Sequence, residues 1–235
     1  MMLNFSFKVK DLPFKFLLFS LFGFQVSMTQ ELKVISDAKL YKTMALADSL
    51  HRMCSLHQLL PGATIDLRYA TKNNFTGQRL YPKGNQTFLR LPAAKALQTV
   101  AAEFSALGYE LMIWDAYRPY EATKKMWDLI GDERYVANPA KGSGHNRGLA
   151  VDLTLTKGGQ EVNMGTGFDH FSDTAHHMFK DLPVEVLKNR QLLRSTMEKY
   201  GFRALETEWW HYSWPNDRNY DVLNLSFQKL KKQMK

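Results

Sequence analysis

Ser143-Gly144-His145-Asn146-Arg147-Gly148-Leu149-Ala150-Val151-Asp152-Leu153-Thr154 is the stretch on which the reading of the fold turns. Glycines bracket His145, which places it on a turn. Residues 149–154 (LAVDLT) then alternate apolar and polar side chains, as a half-buried strand should. On that strand Asp152 points to the polar face, opposite Leu149, Val151 and Leu153.

Working outward, helices and strands interleave. Upstream, Leu97, Val100, Ala101, Phe104 and Leu107 share one face of a helix over 93–107, with Gly108 as its stop. Glu110–Asp115 (ELMIWD) reads as a strand, and a helix follows from Tyr120 to Ile130. Asp66–Tyr81 reads as a short strand and then a loop rich in Asn, Thr and Gly. Downstream, residues 184–200 form a helix with Leu187, Leu193, Met197 and Tyr200 inward, stopped by Gly201. Glu208–Trp214 (EWWHYSW) is aromatic and strand-like. No βαβ rhythm with a Gly-rich phosphate loop appears. The expected fold is α+β, a small and mainly antiparallel sheet flanked by helices.

His145 and Asp152, each at the end of a rigid element, have the chemistry of zinc ligands. His211 is the best candidate for a third, which would leave an open coordination position. Glu208, three residues earlier, could take a proton from metal-bound water. Positions i and i+3 of a flat strand face opposite sides, so a bend or bulge must bring Glu208 and His211 together. The bland alternative is a structural histidine and an Asp152 that caps a turn. The chain has seven histidines, and HExxH is absent. The adjacent side chains of His176 and His177 diverge, which argues against a shared metal. Cys54 is the one cysteine, excluding an intrachain disulfide or a CxxC metal site, and it has no partner motif of a nucleophile.

Composition sets the outer limits. The 235 residues are 45% hydrophobic and 23% charged, a globular balance for about one domain. The net charge of +8 is scattered apart from a short basic tail ending at Lys235, and no nucleic-acid motif accompanies it. No apolar run reaches the ~20 residues of a membrane helix. Lys8, Lys10 and Lys15 precede the apolar Phe16–Phe24, the pattern of an export signal over residues 1–27. A short buried helix or a retained anchor would be the other readings. The organisation expected is that signal, an N-terminal arm over 28–57, a core domain over 58–224 and a basic tail over 225–235.

SGHNRGLAVDLTL resembles the SxHxxGxAxD signature of the zinc peptidases that include D-alanyl-D-alanine dipeptidases and D,D-carboxypeptidases. EWWHY resembles their second signature. The similarity to the dipeptidase branch takes in YATKNNFTG, WDAYRP, MGTGFDHF and LLRSTMEKYGF in order, over roughly residues 58–214. It implies the fold shared with the hedgehog signalling domain. It implies one zinc per chain held by His145, Asp152 and His211, with Glu208 as catalytic acid/base. Arg118 would stabilise the oxyanion. Ser143 and Asp169 would hold the dipeptide, Asp169 near its ammonium, and Tyr69 would line the pocket. Gly144 departs from the pattern, since dipeptidases can carry a second Ser there. The export signal departs too, since well-known dipeptidases of this kind are cytoplasmic, which leaves that location as the alternative to a periplasmic one. The activity implied is hydrolysis of D-Ala-D-Ala in peptidoglycan metabolism, with a small dipeptide as partner. A D,D-carboxypeptidase or endopeptidase is the second reading, and a non-catalytic zinc-containing domain the third.

Overall fold

In a computed structural model, which describes residues 31–233, the strand read at 149–154 runs Ala150–Lys157. The described residues from Leu32 onward form one compact unit. The export signal expected over residues 1–27 lies outside the described residues. In chain order the first elements are β1 (Val34–Ile35), α1 (Ala38–Ala47), β2 (Met53–Ser55), α2 (Leu56–Leu59), β3 (Thr64–Ile65), β4 (Phe88–Arg90) and α3 (Leu91–Ala106). Then come β5 (Glu110–Asp115), α4 (Tyr120–Ile130), α5 (Gly144–Arg147), β6 (Ala150–Lys157) and β7 (Gln160–Glu161). The last are α6 (Val184–Lys199), β8 (Arg203–Leu205), β9 (Glu208–Ser213), β10 (Val222–Leu223) and α7 (Phe227–Gln233). None of these helices is long and apolar enough to cross a membrane.

The main sheet has the order β3-β5-β6-β9-β8, with β7 paired to the end of β6. Only β3–β5 is parallel within it, so the expected α+β fold with a mainly antiparallel sheet holds. Helices α3 and α6 bury Leu97, Val100, Phe104, Leu193 and Met197 against Leu153 and Leu155 of β6. A second cluster lies around Tyr41, Met53, Phe88, Tyr117 and Leu230. It includes residues from both ends of the described chain, where β1 pairs with β10; β2 and β4 form a separate two-stranded sheet.

Four local expectations need correction. Strand β6 is not half-buried but buried from Ala150 to Thr156, because β5 and β9 flank it and its polar face meets the site described below. The strand read from Asp66 lies at Thr64–Ile65; a 3-10 turn over Arg68–Ala70 follows and buries Tyr69. Leu107 is 51% exposed, because the helix ends at Ala106 and Gly108 turns the chain away at φ +78°. On α6, Leu193 and Met197 are buried, but Leu187 and Tyr200 only half so; Val186, Arg190 and Thr196 fill the inner face.

Gly148 shows how tightly the turn before β6 is held. It caps α5 in the left-handed conformation, φ +69°. A Cβ there would stand 2.5 Å from the Met53 Cε, and Met53 is fully buried. Gly148→Ala should cost about 1–2 kcal/mol for the left-handed backbone and about 1–3 more for overpacking. Gly158, at φ +57°, has nothing within 4 Å of such a Cβ. Gly158→Ala should therefore cost only the backbone share. Thermal melting of both variants checks this; equal losses would mean that Met53 does not confine the turn.

Candidate metal centre and active site

Register places the site. Asp152 on β6 is the direct partner of His211 on β9, and Asp115 on β5 is the partner of Asp152 on its other side. His145 enters from α5, whose capping box joins Ser143 and Asn146 in both directions. The Ser143 Oγ accepts the Asn146 amide at 3.1 Å, while Asn146 Oδ1 accepts the Ser143 amide at 3.0 Å. The Asn146 side-chain Nδ2 donates to the Arg118 carbonyl and the Thr123 hydroxyl, tying α5 to the segment after β5. A Cβ at Gly144 would lie 3.0 Å from that of Ala150, so this chain's glycine lets the turn pack closely on β6.

One ligand atom from each of His145, Asp152 and His211 lies within 4.8 Å of the others. The His145 Nδ1 is 2.7 Å from the Ala116 carbonyl oxygen, which can only accept. The proton therefore sits on Nδ1, and in the neutral ring Nε2 presents a lone pair. That Nε2 stands 3.2 Å from the His211 Nδ1 and 3.4 Å from an Asp152 oxygen. The other Asp152 oxygen is 2.9 Å from His211 Nδ1. His211 Nε2 meets the Ser213 hydroxyl at 3.0 Å, so both rings are oriented from behind. Burial opposes charge here, yet the two imidazoles hold the Asp152 carboxyl well below its usual range. Burial likewise pulls on His211, but Asp152 outweighs it and raises the imidazole. Two imidazole nitrogens and a carboxylate converging in a buried pocket fit a divalent cation of the zinc type.

Glu208 Oε2 is 3.9 Å from His211 Nδ1. The bend required for this exists: β8 and β9 slip between Ala204, opposite Tyr212, and Leu205, opposite Glu208. Burial raises the Glu208 carboxyl above its ordinary value, and the negative charge of Asp152 adds to that.

Arg118 is paired with a buried carboxylate and also reaches the cavity. Its Nε and Nη2 donate to one Asp115 oxygen at 3.0 and 2.8 Å. Its Nη1 has no partner among the described residues, and the side chain lines the cavity. Burial lowers the guanidinium, but Asp115 reverses the direction and keeps it charged. The Tyr69 ring covers it with the centroid 5.1 Å from Cζ. The other Asp115 oxygen accepts from the Tyr81 hydroxyl at 2.9 Å and the Ala116 amide at 3.0 Å. Asp115 is thus the buried post that holds Arg118. The i,i+3 spacing of this pair is written in WDAYR.

Asp169 sits at the same cavity, in the left-handed conformation at φ +57°. The Tyr69 hydroxyl donates to its Oδ1 at 3.0 Å, while its buried Oδ2 has no partner. Burial raises its carboxyl strongly, and the Asp152 charge pushes the same way. All eight residues expected at the site line one cavity of about 610 Å³. Ser213, Asn146, Asp115 and the Ala116 carbonyl are the supporting groups that sequence reasoning did not assign.

A family model described as D-ala-D-ala dipeptidase matches residues 49–230. The D-alanyl-D-alanine dipeptidase of Escherichia coli (strain K12) is 34% identical over 172 residues, covering 73% of this chain and 89% of its own length. That of Enterococcus faecalis (strain ATCC 700802 / V583) is 35% identical over 178 residues, covering 67% and 88%. That of Streptomyces coelicolor is 35% identical over 183 residues, covering 66% and 88%. With the family model spanning all eight residues expected at the site, this chain belongs to the D-Ala-D-Ala dipeptidase family of metallopeptidases.

Proposed function

We propose that His145, Asp152 and His211 hold one zinc ion per chain, and that the enzyme hydrolyses free D-Ala-D-Ala to two D-alanines in peptidoglycan metabolism. The observation that carries the choice of a free dipeptide is Asp169. Its buried Oδ2 lacks a partner beside the ligand cluster, which is the seat an ammonium group needs. A charge-assisted bond there favours a free amino terminus over the uncharged amide of a longer peptide.

Bound zinc would supply a water of pKa near ~7 and a Lewis acid for the scissile carbonyl. Glu208 accepts the proton of the attacking water on a carboxylate oxygen that burial has made more basic. It then delivers that proton to the leaving amine. Arg118 offers its free Nη1 to the carbonyl oxygen as negative charge develops there, held in place beforehand by Asp115. Tyr69 fixes Asp169. The Ser143 hydroxyl, which accepts from the α5 cap, keeps its own proton to donate to the substrate.

These roles separate in experiment. His211→Ala should lose most of the zinc, and stoichiometric zinc in that variant would remove His211 from the ligand set. Glu208→Ala should keep zinc and fold but lose at least about 10²–10⁴-fold in kcat/KM on D-Ala-D-Ala. Glu206, exposed and paired with Arg194 at 2.6 Å, is the control: Glu206→Gln should stay close to wild type. If Glu208→Ala remains within about tenfold of wild type, the shuttle is misassigned. N-acetyl-D-Ala-D-Ala should be a poor substrate; cleavage as fast as the free dipeptide would favour the D,D-carboxypeptidase reading.

We further place the enzyme outside the cytoplasm, on the basic and apolar pattern of residues 1–27. Mass spectrometry of the protein from cell fractions should find a mature N-terminus between Gln25 and Gln30. An intact Met1 on cytoplasmic protein would overturn the location without touching the activity.

A further inference from the structure

His176 and His177 stand side by side in the sequence, and the chemistry above uses neither. The fold sends them apart. The His177 ring turns inward and meets Tyr212 edge-on, with centroids 6.2 Å apart; burial pulls its imidazole down to about 4. Its amide donates to the Glu206 carbonyl at 2.9 Å. The His176 amide donates to the Asp173 carbonyl at 3.0 Å, and its own carbonyl accepts from Arg190 Nη1 at 3.3 Å. The backbone at 176 is therefore held from several directions. His176 lines the cavity together with Thr207 and Glu208, and its side chain is 37% exposed. Its ring nitrogens make no hydrogen bond among the described residues. The carboxylate within reach, Asp173, is 4.0 Å away on a side chain that is 91% exposed.

A zwitterionic dipeptide brings a carboxylate as well as an ammonium into this cavity. The guanidinium groups on the wall are engaged elsewhere. Arg118 is forked onto Asp115 and faces the scissile carbonyl with what remains. Arg134 is forked onto Asp132 at 2.6–3.1 Å. Ser143 contributes a neutral hydroxyl. We infer that His176, an uncommitted imidazole on a pinned backbone, receives the free carboxylate of the dipeptide and makes the enzyme selective for substrates that carry one. This rests on the dipeptidase reading and adds a specificity-determining residue to it.

The test compares kcat and KM on D-Ala-D-Ala and on its C-terminal amide, for wild type, His176→Gln and His176→Ala. Zinc content and thermal midpoint are read on the same samples. Wild type should prefer the free carboxylate by about tenfold or more, as expected for a bond to a charged group. The variants should lose about 10- to 100-fold on the dipeptide, mainly in KM, and stay within about threefold on the amide. Parallel losses on both substrates would mean a merely structural residue and would overturn the inference. So would variants unchanged on the dipeptide, or a wild type indifferent between the two substrates; the last holds even if the variants misfold. A wild type that cleaves neither would instead bring down the dipeptidase reading itself.

Discussion

Asp152 and His211 face each other across β6 and β9, with Asp115 alongside on β5, and the site depends on that register. Side chains alternate faces along a strand, so a slip of one residue would turn the row away from the cavity. The register is fixed from the other face of the sheet. Leu153 and Leu155 are fully buried in the cluster that α3 and α6 cover, and slipping β6 would expose them. Burial of apolar side chains at roughly 1.5–3 kcal/mol each thereby places polar groups that could not choose their own positions.

Two irregularities adjust the row. A register shift between Ile113 and Asp115 lets Asp115 meet Asp152, and another opposite Ala204 and Leu205 turns Glu208 toward His211. The charges are then assembled in order of commitment. Asp115 is fully buried and spends its acceptors on Arg118, Tyr81 and a backbone amide. Removing one partner of such a pair leaves an uncompensated buried charge, at a cost of about 3–5 kcal/mol. Asp152 and the two imidazoles hold one another at distances that suit a shared cation. Asp169 keeps one oxygen unused. The gradient runs from the fully satisfied Asp115 to the unsatisfied oxygen of Asp169 at the cavity.

The cluster of His145, Asp152 and His211 was legible in the sequence because glycines, an alternating strand and an aromatic strand each left a local signature. Helix α4 was readable to both ends, since Pro119 starts it and Gly131 stops it in a left-handed cap. The depth of β6 was not readable, because Thr154 and Thr156 look like surface positions and are buried only by neighbours distant in sequence. Nor was the inner face of α6: Arg190 looks like a solvent residue, but it is buried because the carbonyls of Met164 and His176 take its hydrogen bonds. Supporting groups such as Ser213 and the Ala116 carbonyl carry no motif of their own. Their roles arise from the cross-strand geometry.

The central claim is that His145 Nε2, His211 Nδ1 and an Asp152 oxygen share one zinc. X-ray absorption at the zinc edge of the purified protein tests it most directly. The expected spectrum has a first shell of nitrogen and oxygen at about 2.0–2.2 Å, the outer scattering of two imidazoles, and no sulfur at ~2.3 Å. A spectrum with one imidazole or none, or with a sulfur ligand, would contradict the account.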